Sequence, residues 1–271
     1  MQKTDTFKKI VWDYYKKHGR KMPWRETSDP YMIFVSEVML QQTQVDRVKP
    51  KYEAFIFFFP NFRKLAGAPL PKLYGAWQGL GYNRRALGLK KSAQKVTAEY
   101  GGKLPQTLEE LEALPGIGPA TAASITAFAF NQPVVFIETN IRRVFLHHFF
   151  ADKKNVDDAK IRKLVEITLD KKNPREWYWA LMDYGSYLAK TLPKNPNQRS
   201  RHYAKQSAFK GSKREARGAI IRFLLKEKTG TSTNIIKNLK LDTDIVRAAL
   251  HDLEKENVVE KVRGLYKLKE I

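Results

Sequence analysis

The sequence predicts an all-α protein of two helical subdomains, followed by a small C-terminal winged-helix-like unit. Three observations lead to this class. Apolar residues recur at helical spacing from Thr4 to about Lys190, no long alternation of apolar and polar residues interrupts them, and the connections are short and rich in Pro and Gly. From Val258 to Leu268 the pattern alternates around Arg263-Gly264, which indicates a β-hairpin near the end of the chain.

The first helix is predicted from Thr4 to Lys17, because its apolar residues share one face. The second is predicted from about Met32 to Val48, ending before Pro50. We interpret the aromatic run from Phe55 to Pro60 as a buried helix end. Further helices are predicted at Pro71 to Gln78, Arg84 to Tyr100, Thr107 to Ala113 and Pro119 to Phe130, and in segments beginning at Asn140, Asp157 and Pro174.

The composition changes after Leu188. Nine basic residues and one acidic residue lie between Lys190 and Arg217, which is typical of a basic linker that is either solvated or ordered against DNA phosphates. Three short helices then precede the hairpin: Arg214 to Lys228, Thr233 to Asn238 and a helix capped by Asp242. We therefore expect a helical domain at residues 1–190, a basic linker at 191–213 and a winged-helix-like domain at 214–271, which binds either DNA or protein.

Charge and composition restrict the function. The 271 residues include 50 Lys and Arg against 28 Asp and Glu, a formal net charge of +22 that favours a polyanionic partner. The absence of Cys excludes disulfides, thiolate metal sites and Cys nucleophiles. No apolar run approaches the ~20 residues that span a membrane, and Met1 to Lys9 lacks the apolar core of a signal peptide. We expect a soluble protein of the cytoplasm.

A turn between two predicted helices is the most specific local signal. In Leu114-Pro115-Gly116-Ile117-Gly118-Pro119 the proline ends one helix and the glycines permit a tight turn with exposed amides. The next helix then begins with unpaired N–H groups and a positive dipole end, a site that suits phosphate. Such a turn indicates a helix-hairpin-helix motif; the alternative is an ordinary corner between helices.

The first candidate acid is Glu37. If its segment is helical, Glu37, Gln41 and Gln44 share one face. The apolar neighbours of Glu37 would raise the pKa of its carboxyl group and favour the neutral form. The alternative is that Glu37 is an ordinary surface acid.

The second candidate acid is Glu138, which follows an apolar segment and directly precedes a helix. We expect Thr139 or Asn140 to cap that helix, and the helix N-terminus to hold the pKa of Glu138 down. The alternative is that Glu138 is merely a capping acid. Two carboxyl groups with separated pKa values are what a general acid and an anionic stabiliser need.

These segments together resemble the helix-hairpin-helix glycosylase superfamily of base-excision repair and, within it, the MutY-type adenine glycosylases. The segments that carry the resemblance follow the family's order from Lys9 to about Leu188: Met22-Pro23-Trp24, Ser36 to Val45, Gly79-Leu80-Gly81-Tyr82, Leu114 to Gly118, Thr139-Asn140 and Met182-Asp183.

The resemblance implies a role for each matching residue. Glu37 would protonate an extruded adenine and later handle water, with Glu138 and Asn140 as its catalytic partners. Gln41 would wedge into the duplex, and Tyr82 would fill or flank the gap. The DNA-binding residues would be Gln41, Gln42, Gly79, Leu80, Tyr82, Gly116, Gly118 and Ala120. No metal is required, although a monovalent cation can bind to the carbonyls of Leu114 to Gly118.

Four departures from the family refine this picture. Glu138 stands where the family has Asp, which moves the carboxylate by about one methylene. Ala120 stands where the lyase members have Lys, so no Schiff-base nucleophile is available and a monofunctional glycosylase is expected. The four-cysteine iron–sulfur loop is absent, and we expect the basic segment to take over its role. The winged-helix-like unit replaces a domain that resembles nucleotide-sanitising hydrolases.

We therefore expect a monomeric, nucleoid-associated enzyme that acts on double-stranded DNA with a mispaired or damaged base. The leading substrate is adenine opposite 8-oxoguanine or guanine. A thymine, uracil or other lesion glycosylase on the same scaffold is an alternative. A catalytically inactive DNA-binding regulator is another.

Overall fold

The computed structural model describes residues 3–270. In chain order its α-helices are α1 Lys3–His18, α2 Pro30–Leu40, α3 Val45–Phe58, α4 Phe62–Ala66, α5 Leu70–Trp77, α6 Arg84–Glu99, α7 Leu108–Glu112, α8 Pro119–Phe130, α9 Thr139–Phe149, α10 Asp158–Thr168, α11 Pro174–Thr191, α12 Lys213–Glu227, α13 Ser232–Leu239 and α14 Thr243–Lys255. The strands are β1 Thr229–Gly230, β2 Val259–Val262 and β3 Leu265–Leu268, and 3-10 turns occur at Pro23–Arg25 and Pro196–Arg199. The prediction of an all-α fold with a small C-terminal sheet is confirmed.

The chain forms two compact units. Unit 1 contains residues 3–37, 106–113 and 117–205, and unit 2 contains residues 38–105, 114–116 and 206–270. In unit 1, α1, α9 and α11 pack around an aromatic core in which the Phe7 ring lies 5.0 Å from that of Phe145 and 6.2 Å from that of Trp177. All three rings are fully buried or nearly so, and large apolar rings of this kind supply much of a core's stabilisation.

Unit 2 joins α3 to α6 with the C-terminal helices and sheet. The sheet has the order β1-β3-β2 and is antiparallel, with Val259 opposite Leu268 and Val262 opposite Leu265. Both turn residues, Arg263 and Gly264, have positive φ angles of 48° and 81°. Two left-handed residues are what a two-residue hairpin needs to match the twist of its strands. The winged-helix-like arrangement predicted for the C-terminal end is therefore present.

The predicted helix from Met32 to Val48 is wrong. The helix α2 ends at Leu40, Gln42 adopts a left-handed φ of 53°, and α3 begins at Val45 with Pro50 in its second turn. A left-handed residue cannot continue a right-handed helix. The prediction that Glu37, Gln41 and Gln44 share one helical face is therefore wrong as well, because the last two lie beyond the end of α2.

The aromatic run after Ala54 is buried only in part. Phe55 and Phe59 are 0% and 2% exposed, as predicted for a helix end in the core, but Phe57 and Phe58 are 81% and 47% exposed. Residues four apart share a helix face, so the first pair points inward and the residues between them point outward. Among residues 3–270, no helix is long and apolar enough to cross a membrane.

Candidate functional site

Glu37 lies in the last turns of α2, in unit 1, flanked by the buried side chains of Phe34 and Val38. Its Oε2 atom lies 2.7 Å from Oγ of Ser124, a buried residue of α8. The same Oγ lies 2.9 Å from the carbonyl oxygen of Thr121. The carboxyl group is therefore held by one hydroxyl and removed from solvent.

Burial raises the pKa of Glu37 to about 7. The hydrogen bond with Ser124 and the positive charge of Arg25 act in the opposite direction, whereas the negative charge of Glu138 raises the pKa further. The sequence-based expectation for Glu37 is thus met by the structure. A carboxyl group with a pKa near neutrality holds a proton that it can deliver and later recover, which is the property of a general acid/base.

Glu138 is the N-cap residue of α9. Its Oε1 accepts hydrogen bonds from the backbone N–H of Asn140 at 2.6 Å and of Ile141 at 2.9 Å. The prediction that Thr139 or Asn140 caps this helix is wrong, because the longer glutamate side chain bends back and takes the capping position itself.

The predicted direction for the pKa of Glu138 is also wrong. Burial raises it, and this effect outweighs the two backbone hydrogen bonds and the charges of Arg143 and Arg142, all of which lower it. The sequence suggested the helix N-terminus, which is a local feature, but did not show the desolvation that the tertiary fold imposes.

Asn140 links Glu138 to a buried arginine. Its Nδ2 lies 3.4 Å from Oε2 of Glu138, and its Oδ1 accepts from Nη1 of Arg143 at 2.6 Å. The same Nη1 donates to the carbonyl oxygen of Gly185 at 2.9 Å. A Cβ atom at Gly185 would lie 2.5 Å from the carbonyl oxygen of Asn140, so α11 packs against the start of α9 at a distance that only glycine allows.

A buried ion-pair network supports Arg25. Asp183, 2% exposed, accepts from Nη1 and Nη2 of Arg25 at 2.8 and 2.9 Å, and from Nε and backbone N of Arg20 at 2.7 and 2.8 Å. Paired guanidinium–carboxylate contacts fix both groups in orientation. The positive charge of Arg25, which lowers the pKa of Glu37, is therefore fixed in position.

In unit 2, Arg85 holds together the loops that carry most of the predicted DNA-binding residues. Its Nη1 donates to the carbonyl oxygens of Val38 and Met39 at 3.0 and 2.8 Å, and also to that of Gln41. Its Nη2 lies 2.8 Å from Thr43 Oγ1 and 3.1 and 3.2 Å from two further carbonyl oxygens, those of Leu80 and Gly81. Burial lowers the pKa of Arg85 to about 10.

The same loops and the hairpin have left-handed backbone at several positions. The φ angles are 53° at Gln42, 92° at Gly79, 71° at Gly81, 47° at Tyr82 and 84° at Gly116. For non-glycine residues this conformation is strained and persists only where the surrounding structure holds it. The contacts of Arg85 provide that support for Gln42 and Tyr82.

The first residues of the hairpin, 114–116, belong to unit 2, and the residues from Ile117 on belong to unit 1. In unit 2, Nε2 of Gln41 donates to the carbonyl oxygen of Gly116 at 3.4 Å, and a Cβ atom at Gly88 would lie 3.2 Å from Pro115 O. In unit 1, Gly118 is the N-cap position of α8, and no side chain among the described residues caps this helix. Gly116, Gly118 and Ala120 are exposed, whereas the side chain of Leu80 is buried, so Leu80 can contact a partner only through its backbone.

The 3-10 turn Pro196–Arg199, which lies in the predicted basic segment, packs on α9. Asn197 donates to the carbonyl oxygen of Thr139 at 3.0 Å, and Val156 pairs with Ser200 in an isolated parallel bridge. Within residues 3–270, no group of three or more His, Asp or Glu residues could hold a metal ion. His148 contacts the hydroxyl of Tyr184 at 3.0 Å, and burial lowers its pKa to about 4.

Sequence reasoning missed Arg25, Arg85, Ser124 and Arg143. The signal for Ser124 was a hydroxyl on a helix otherwise lined with alanine. The arginines act through contacts with residues far away in the sequence, and no local pattern indicates them.

One known protein family matches the part of the chain that contains the candidate site residues. Residues 35–168, which include Glu37, the hairpin and Glu138, match the family described as HhH-GPD superfamily base excision DNA repair protein. The chain contains a domain of this superfamily. The HhH-GPD segment spans parts of both units, from α2 to α10.

Two curated relatives and one solved structure extend the comparison. The HhH-GPD chain is 35% identical over 198 residues to the adenine DNA glycosylase of Buchnera aphidicola subsp. Baizongia pistaciae, covering 71% of this chain and 55% of the relative. It is 27% identical over 198 residues to the thymine/uracil-DNA glycosylase of Methanothermobacter thermautotrophicus, covering 72% and 89%. A thermostable thymine-DNA glycosylase structure shares the fold, with a TM-score of 0.65, 24% identity and coverage of 73% and 93%.

The chain spans about half the length of the adenine DNA glycosylases that it matches. It spans nearly all of the thymine/uracil-DNA glycosylase. The family and the fold are therefore shared with enzymes of two base specificities.

Proposed function

We propose that this protein is a monofunctional DNA glycosylase that hydrolyses the N-glycosidic bond of an adenine mispaired with 8-oxoguanine or guanine. The observation that carries the proposal is the Glu37 carboxyl group, whose pKa is raised to about 7 within electrostatic reach of Glu138 in an HhH-GPD protein. The identity to adenine DNA glycosylases supports adenine as the base.

Glu37 and Glu138 have different roles in the proposed reaction. Protonated Glu37 donates its proton to a nitrogen of the flipped base, and the C–N bond breaks with its electron pair passing to the base. The sugar becomes an oxocarbenium ion, which the negative charge of Glu138 stabilises. Water then attacks the sugar carbon and gives its proton to the Glu37 carboxylate. The products are free base and an abasic site, and the acid is restored.

Asn140 and Ser124 orient these groups. Asn140 reaches Oε2 of Glu138 with its amide, so that the capping Oε1 and the outer Oε2 are both fixed. Ser124 holds Oε2 of Glu37 at 2.7 Å. Fixed dipoles and charges of this kind stabilise a developing charge without further reorganisation.

DNA binding is assigned to the loops and to the hairpin. Gln41, Gln42, Gly79, Leu80 and Tyr82 would keep the duplex open, and the amides near Gly116, Gly118 and Ala120 would hold a phosphate. Because Ala120 cannot form a Schiff base, the enzyme would leave the abasic strand uncut. A monovalent cation on the hairpin carbonyls remains a prediction from the sequence, as do the monomeric state and a location at the nucleoid in the cytoplasm.

The test is a panel of duplexes that carry adenine opposite 8-oxoguanine or guanine, and thymine or uracil opposite guanine. Each is incubated with the full chain and then treated with hot alkali, which cuts abasic sites. Cleavage of the adenine duplexes, but not without alkali, supports the proposal. Cleavage without alkali contradicts the monofunctional assignment.

A thymine/uracil glycosylase is the second candidate, since the chain covers 89% of a curated relative with that name. Cleavage of thymine or uracil duplexes with adenine duplexes intact would establish it in place of adenine specificity. Tight binding with no base released from any duplex would instead favour a DNA-binding regulator and overturn both enzymatic assignments.

A further inference from the structure

Two arginines contact Tyr82 in unit 2. The guanidinium carbon of Arg85 lies 5.4 Å from the centre of the Tyr82 ring, and that of Arg214 lies 5.2 Å from it. Nη1 of Arg214 also donates a hydrogen bond to the Tyr82 hydroxyl. Arg85 is a near neighbour of Tyr82 in the sequence. Arg214 comes from α12, in the winged-helix-like C-terminal part of unit 2, hereafter the C-terminal unit.

Arg214 is itself held in place. Its Nη2 donates to the carbonyl oxygen of Ser207 at 2.8 Å, and it lies in the first turn of α12. That helix is tied to its neighbours by a partly exposed ion-pair cluster: Glu256 accepts from Arg217 at 2.6 Å and from Arg84 at 2.6 Å. Lys213 pairs with Asp252 at 3.1 Å.

These contacts stabilise Tyr82 in a backbone conformation that is unfavourable by itself. Its φ of 47° is unfavourable for a residue with a large side chain, so the ring needs support from the tertiary structure. A guanidinium group supports an aromatic ring in two ways, by a cation–π contact and by a directed hydrogen bond to the hydroxyl. Lysine offers only a point charge, and it cannot make both contacts from one planar group.

We propose that Arg214 is a positioning residue, through which the C-terminal unit holds Tyr82 ready to fill the space beside a flipped base. The C-terminal unit then acts as a part of the duplex-opening device and not as a separate DNA-binding module. This inference rests on the proposed function, because that function gives Tyr82 its place in the duplex.

The experiment measures base opening without chemistry. The full chain carries Glu37→Gln in every sample. The duplex carries 2-aminopurine next to the target adenine, and the fluorescence of the 2-aminopurine rises when the adenine leaves the stack. The variants are Arg214→Ala, Arg214→Lys and Tyr82→Phe. Arg222→Ala is the matched control, because Arg222 is an exposed arginine of the same helix and its loss removes the same charge.

We expect Arg214→Ala and Arg214→Lys each to lower the opening equilibrium about tenfold relative to the control, a size typical of a lost charged hydrogen bond with its cation–π contact. Affinity for a matched duplex should fall no more than in Arg222→Ala. The double variant Arg214→Ala with Tyr82→Phe should open the duplex about as well as Arg214→Ala alone, because both changes remove the same contact.

An Arg214→Ala protein that opens the duplex as well as Arg222→Ala overturns the inference, and so do additive effects of the Arg214 and Tyr82 changes. Arg214→Lys keeps the charge and provides a second variant if the alanine variant unfolds. If the wild type releases adenine and only these comparisons fail, the proposed function stands without the inference. If the wild type neither opens nor cleaves any duplex, the proposed function fails first.

Discussion

Ser124 Oγ lies between two oxygen atoms, 2.7 Å from Oε2 of Glu37 and 2.9 Å from the carbonyl oxygen of Thr121. A hydroxyl has one proton and can donate to only one of them. When Glu37 is ionised, Ser124 donates to the carboxylate. When Glu37 is protonated, the carboxyl group can donate to Ser124, which then donates to Thr121. The serine therefore has a partner in both protonation states of the proposed general acid.

The pH dependence of base release follows from this pair. Glu37 must be protonated to act as an acid, so kcat/KM should be high below its pKa of about 7 and fall as the pH rises through that value. The hydrogen bond from Ser124 lowers this pKa, and its removal in Ser124→Ala should raise it. The alkaline limb of the pH–rate profile should then move to higher pH.

Thr126→Val is the control for this experiment, since Thr126 is a buried residue of α8 whose hydroxyl donates to the carbonyl oxygen of Ala122 in the same helix. Its profile should match the wild type. An alkaline limb that stays in place or moves to lower pH in Ser124→Ala would refute the assigned role of the serine.

The charge of Glu138 can be separated from its capping role. Glu138→Gln keeps an oxygen that can accept from the amides of Asn140 and Ile141, whereas Glu138→Ala removes the cap and should cost ~1 kcal/mol in the free energy of unfolding. Glu138→Gln should unfold like the wild type in urea yet release base ~100-fold or more slowly. Full activity in this variant would leave Glu138 with a capping role alone.

The buried network at Asp183 should dominate local stability. Asp183→Asn leaves Arg25, which is 7% exposed at its side chain, without its carboxylate, and a broken buried pair typically costs ~3–5 kcal/mol in the free energy of unfolding. Glu260→Gln, which breaks the half-exposed pair with Lys267, is the control and should change it by less than ~1 kcal/mol. Equal effects in urea unfolding would show that the Asp183 network is not a stabilising feature of unit 1.

We expect DNA binding to require the shape of the Arg85 guanidinium group as well as its positive charge. Arg85→Lys keeps the charge but has one nitrogen, which cannot span the carbonyl oxygens of Met39, Gln41 and Leu80. Affinity for a mispaired duplex, measured in the Glu37→Gln background, should fall about tenfold or more. Arg47→Lys, a change at an exposed arginine of α3, should bind like the wild type. If the two variants bind alike, the loops do not depend on Arg85.

Much of the fold follows from local patterns. The helices from Arg84, Pro119 and Pro174 begin where the sequence predicts, and Asp242 caps α14 through the amides of Asp244 and Ile245. These features depend on residues within one or two turns of each other. Apolar spacing and capping chemistry therefore suffice to predict them.

The site was harder to predict where distant contacts decide the structure. The break after Leu40 is held by Arg85, more than forty residues later in the chain, and Pro50 suggested a helix end in the wrong place. Burial raises the pKa of Glu138 and outweighs the backbone hydrogen bonds from its own helix, and the local sequence does not show that burial. The cap at Glu138 appears in the sequence analysis only as the alternative, because glutamate is not a preferred N-cap residue.

The most direct test of the account is single-turnover base release by Glu37→Gln on the adenine duplex that the wild type cleaves. Glutamine preserves the size of the side chain but cannot deliver the proton that makes the base a leaving group. We expect release to slow by ~100- to 10,000-fold while affinity for the duplex stays within a few-fold of the wild type. Release at the wild-type rate would contradict the account, because Glu37 would then not be the acid.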